Sequence, residues 1–158
     1  MSQKIDKLPS AIQKRDLLFG VRTADAQEWK KGAQDFLEAD WIYDGIDFLT
    51  QAGARAELEG LYEKVCSEGN TFPLQKIFRS LGITELTDKE KQLLRRCSEK
   101  AEALGLHRYA LKGFERLDET AGVERIRALI VNDGDIVAEA QSQVFIPPIS
   151  EEDDEENS

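Results

Sequence analysis

Four kinds of side chain in this sequence are equipped for chemistry: one histidine, two cysteines, an Asn-Asp-Gly-Asp run and a set of closely spaced aspartates. His107 stands two residues after Gly105 and two before Tyr109, where it would pack or hydrogen-bond at the start of a helix. As a general base it would need a nucleophile, and neither Cys66 nor Cys97 forms a nucleophile motif with it. A single histidine also excludes an all-histidine metal site within one chain. Cys66 and Cys97 fall in helical patterns where small apolar residues belong, so buried free thiols are the reading, ahead of a disulfide and of redox or metal work. The run from Asn132 to Asp135 invites a calcium loop, but that register puts Leu129 at the first ligand position, Val131 at the third and Ala140 at the twelfth, so a turn is expected instead. The spacings of Asp40, Asp44 and Asp47 can bring some of them onto one helix face. A paired-acid mechanism needs one carboxyl with a raised pKa in a defined pocket, and spacing supplies neither. With no Gly-rich nucleotide loop, serine nucleophile elbow or adjacent histidine pair, the chain is expected to carry no catalytic residue, no cofactor and no metal.

The elements that would position these side chains are helical. Pro9 and Ser10 precede a short helix from Ala11 to about Leu18, with Gln13 at capping-box distance from Ser10. A second helix is expected from near Thr23 through Trp29, Ala33, Phe36 and Leu37, and a third holds Ile42, Gly45, Ile46, Phe48 and Leu49. Trp29 and Trp41 are expected as core anchors, with an exposed aromatic surface as the alternative. Leu58, Leu61, Tyr62 and Val65 recur at i, i+3, i+4 and i+7; Leu74, Ile77, Phe78 and Leu81 form another face, which Gly82 can end in a left-handed conformation. Thr87 and Glu90 have capping-box spacing before the longest amphipathic run. Gly105 turns the chain into a partner helix, and Val123 to Val131 gives a further stripe that Asp133 and Gly134 separate from a last helix at Ile136, Val137 and Ala140. Alternating strand patterns are scarce.

Composition narrows the function classes. The net charge is −10, and the six carboxylates from Glu151 to Glu156 leave −4 for the remainder. An acidic body with an acidic tail meets phosphate backbones and anionic lipid with repulsion, so neither nucleic acid nor membrane is an expected partner. The N-terminal MSQKIDKLPS has no hydrophobic signal core, and no apolar run approaches the roughly 20 residues of a membrane span, so a cytoplasmic location is expected. VFIPPIS argues for an extended segment and EEDDEENS for a solvated tail. Three regions result: an N-terminal segment with a short helix over 1–22, a helical domain over 23–143, and an extended and acidic tail over 144–158.

Two stretches share one spacing. Gly69, Leu74, Phe78 and Leu81 repeat as Gly105, Ala110, Phe114 and Leu117, and upstream Leu58, Leu61 and Val65 stand at the same distances before Gly69 as Leu94, Cys97 and Ala101 before Gly105. A helix pair with two apolar faces is covered by a neighbouring pair, so repetition extends the core. Asp40, Gly45, Leu49 and Ala52 form a weaker third copy, and its different separation makes the array irregular. The expected fold is all-α, an irregular helical-repeat solenoid of stacked antiparallel helix pairs.

This pattern resembles the tetratricopeptide family over about residues 27–118. Gly105 resembles that family's turn glycine, Ala110 its small contact residue and Phe114 its aromatic contact, while Leu94 replaces the usual tryptophan, Leu117 a common alanine and Leu74 the small residue of the other copy. The resemblance implies a scaffold that holds a protein or peptide, without catalysis, on the first helix of each pair. Glu57, Glu59, Lys64, Arg95, Lys100 and Glu102 are then the candidate partner-binding residues. A self-associating module whose open end packs on another copy is the alternative, and a carboxylate-dependent enzyme of unassigned reaction comes last.

Overall fold

The computed structural model describes residues 8–18, 20 and 24–142, with side chains described at all of these except 11 and 133–142. The segment VFIPPIS and the acidic tail lie outside the described residues. Within them the protein is all-α, with no strand. The helices are α1 (Ala11–Leu18), α2 (Ala26–Glu38), α3 (Ile42–Gln51), α4 (Arg55–Gly60), α5 (Tyr62–Ser67), α6 (Thr71–Ser80), α7 (Asp88–Ala103), α8 (His107–Arg116) and α9 (Thr120–Ser142).

Local chemistry starts these helices. Ser10 and Gln13 bond reciprocally ahead of α1, and Asp25 caps α2 while Glu28 returns to the Asp25 N–H at 3.2 Å. The expected start near Thr23 thus gives way to Ala26, because the Asp25 carboxylate accepts from two free N–H groups of the first turn. At α7, the Glu90 carboxylate accepts from the Thr87 N–H at 3.0 Å and from its hydroxyl.

Six helix ends use one device. Asp40, Gly53, Gly69, Gly82, Gly105 and Asp118 all have positive φ, between 55° and 73°. The N–H after each donates to a carbonyl five residues back: Trp41 to Phe36, Ala54 to Leu49, Asn70 to Val65, Ile83 to Phe78, Leu106 to Ala101 and Glu119 to Phe114. This is the Schellman termination, and here each acceptor carbonyl belongs to a buried core residue. Helices α3, α6 and α8 each begin two residues after such a turn and run ten residues.

Pairs form between α2 and α3, α5 and α6, and α7 and α8; α3 meets α6, α5 meets α7, α6 meets α8, and α9 covers α8. Trp29, Phe36 and Phe48 interlock edge to face in the larger apolar cluster, which runs on to Cys97. A smaller cluster holds Ala101, Ala110, Phe114 and Ile126. Buried Thr71 and Ser98 lie where the pairs meet: Thr71 donates to the Tyr109 carbonyl at 2.7 Å, and Ser98 to Leu94. A Cβ at Gly113 would run into Ser98 Oγ, so α8 approaches α7 only because that side chain is missing.

Two expectations are corrected. The run from Asn132 to Asp135 is no turn, for α9 passes through it unbroken to Ser142. One internal glycine costs a helix about 1 kcal/mol, which weakens a long helix without by itself ending it. Trp41 is no core anchor: it is 50% exposed at the N-terminus of α3, stacked on Phe36 at 6.0 Å, because the Asp40 turn swings it outward. Trp29 is buried.

Candidate functional site

On α2, Lys30, Gln34, Leu37 and Glu38 recur at helical spacing and form one wall of a groove of 580 Å³. Leu37 and Leu49 supply its apolar lining, and Glu57 of α4 with Lys64 of α5 forms the opposite wall. The walls are tied together by charge. Lys30 reaches Glu57 at 2.5 Å and Lys64 reaches Asp40 at 2.9 Å. The hydrogen bond from Lys30 holds the Glu57 carboxyl below the usual carboxylate range.

The other side of α4 and α5 borders a second groove, of 400 Å³, whose far wall is α7. Tyr62 and Leu93 give it apolar surface, and Glu59, Glu63, Lys89 and Arg96 surround them. Arg96 bonds Glu63 across the groove at 2.7 Å, and the Lys89 ammonium sits 6.0 Å from the Tyr62 ring centre. Burial pushes the Tyr62 phenol up to about 12, with Glu59 and Glu90 adding to the rise. The α4–α5 segment is therefore the ridge between two adjoining grooves.

The sequence candidates divide between these places. Glu57 and Lys64 line the first groove and Glu59 the second. Arg95 pairs with Glu119 at 3.1 Å, and Glu102 takes both ends of the Arg125 guanidinium at 2.7 and 2.8 Å, so these two join α7 to the chain beyond it. That contact holds the Glu102 carboxyl below its usual range. Lys100 is exposed on α7 and lines neither groove. Sequence reasoning missed Lys30, Gln34 and Glu38, although their shared spacing on an amphipathic helix was a readable signal; it also missed Glu63, Lys89 and Arg96, which only the approach of α5 to α7 unites.

The repeat positions Leu58, Val65, Gly69, Leu74, Phe78, Leu94, Cys97, Ala101, Ala110 and Phe114 are buried; Leu61, Leu81 and Leu117 are half-buried, and Gly105 is exposed in its turn. The three aspartates do not converge, for Asp40 faces Lys64, Asp44 pairs with Lys14 and Asp47 with Lys76. Among the described residues, no three His, Cys, Asp or Glu side chains are grouped to hold a metal, and no helix is long and apolar enough to cross a membrane. Cys66 and Cys97 are buried free thiols. No protein-family model, curated protein or solved structure matches this chain.

Proposed function

We propose that this protein is a non-catalytic adaptor or assembly factor that holds a peptide or protein segment along α2, α4–α5 and α7. The observation that carries this reading is the pair of adjoining grooves, each with apolar surface between charges of both signs. An extended segment would bury apolar side chains in them and exchange its own charges with the walls. An irregular solenoid of the tetratricopeptide kind accounts for the six equivalent turns. It also gives Trp29 a place: it stands eleven residues before Asp40, as Leu94 stands before Gly105, so the first unit has tryptophan where the third has leucine.

A photocrosslinking residue placed at Gln34, compared with one at exposed Ala128 on α9, tests the reading in native extract. The expected result is one partner joined from position 34 and not from 128, with its affinity reduced roughly tenfold or more by Lys30→Glu together with Lys64→Glu, as is usual for reversing charges at an interface. Equal capture from both positions, or binding indifferent to the reversals in a folded variant, contradicts the assignment.

A further inference from the structure

Cys66 on α5 and Cys97 on α7 are the chain's only cysteines, and the approach of the two helices makes them neighbours. Each sulfur also reaches across to the opposite backbone: Cys66 Sγ lies 3.7 Å from the Leu93 carbonyl oxygen and Cys97 Sγ 3.9 Å from that of Val65. Beside Cys66 stands the Arg96 guanidinium, itself paired with Glu63, and both line the groove between α5 and α7. The site therefore holds two neighbouring sulfurs, one cation and an adjoining groove. Cys66 is 3% exposed and Cys97 fully buried, which favours a small reagent over a bulky one.

We propose that Cys66 and Cys97 form an oxidation site for hydrogen peroxide that closes to an internal disulfide between α5 and α7. The Cys66 thiolate attacks one peroxide oxygen; an S–O bond forms, the O–O bond breaks, and the departing hydroxide takes up a proton to become water. The Cys97 sulfur then attacks the resulting Cys66 sulfenic acid, forming the S–S bond as the S–O bond breaks, and the hydroxide leaves with the Cys97 proton as a second water. Two thiols and one peroxide become one disulfide and two waters, the thiols supplying two electrons. The two roles fit the unequal acidities. The hydrogen bond from Cys97, aided by Arg96, lowers Cys66 against the effects of burial and of Glu63; the same bond and burial raise Cys97. Closure would tie α5 to α7 and take the Cys66 thiolate from Arg96, leaving it to Glu63 alone and altering the groove that both line.

The test treats the full chain with peroxide, quenches it with iodoacetamide after unfolding, and weighs the intact protein. The expected product is a monomer lighter by two hydrogen atoms, closed to alkylation, with the Cys66 and Cys97 peptides linked until reduced. Cys97→Ser should stop at a Cys66 sulfenic acid that dimedone traps, Cys66→Ser should leave Cys97 unreacted, and Arg96→Gln should slow the first step severalfold. Peroxide should outpace glutathione disulfide at equal concentration. The wild-type mass decides the matter even where a serine variant fails to fold. Thiols that react only in denaturant, oxidation that yields only linked dimers, or a wild-type product that stops at sulfinic acid overturns the proposal.

Discussion

At Gly69 two demands meet in one residue. Its φ is +66°, and a Cβ there would stand 2.8 Å from the backbone of Ala101 on α7. Gly105 has a similar φ of +71° but open space around it. Gly105→Ala should therefore cost only the left-handed penalty of about 1–2 kcal/mol, whereas Gly69→Ala must also push α7 away and should cost roughly 3 kcal/mol or more. Urea denaturation of the two variants separates these contributions. The Glu102–Arg125 pair makes a prediction in pH. Because the folded pKa of Glu102 lies below its unfolded value of about 4.3, its stabilisation is fully present above that value and disappears as pH falls through the folded one. Glu102→Gln should lower Tm near neutrality, and by progressively less as the pH is taken below the unfolded value, read by circular dichroism. At this scale the sequence was legible where a residue's role was conformational or apolar, as at Gly82, Phe78 and Phe114. It misled at Trp41, because a bulky aromatic beside a turn can be turned either way, and the left-handed Asp40 decides which.

Helix boundaries were legible wherever they rest on bonds between near neighbours. The boxes at Ser10–Gln13 and Thr87–Glu90 are such cases. They were less legible where a non-glycine residue adopts the left-handed conformation, since aspartate carries no obligatory signal for it. Asp118 follows α8 with φ 55°, exposed, between the negative end of α8 and the positive end of α9. Asp118→Gly removes the backbone strain and should stabilise the protein by about 0.5–1 kcal/mol. At Asp40 the same change would also remove the Lys64 partner, so the gain should be smaller there. A denaturation midpoint for each variant checks the order. The passage of α9 through Asp133 and Gly134 was hidden for a different reason. Turn-forming residues vote locally, and two of them do not override a 23-residue helix.

The all-helical architecture follows from apolar spacing that recurs along most of the described chain. The grooves do not, because a groove is made by two helices and a periodic stripe reports one. Glu57, Glu59 and Lys64 could be picked out as polar positions on a first helix; that Lys30 and Arg96 would face them depended on how far apart α2, α4–α5 and α7 pack. The partition of the core has its own outcome. Among the residues whose side chains are described, seventeen buried apolar ones make up the cluster spanning α2 to α7 and four the one that joins α8 to α9, with the hydroxyls of Thr71 and Ser98 at the junction. Local opening follows the thinner apolar contact. In deuterium-uptake measurements, the amides of α9 and α8 should exchange as one cooperative segment well before those of α2 and α3, so the chain would come apart from its carboxyl side with the Trp29–Phe48 region as the last shelter.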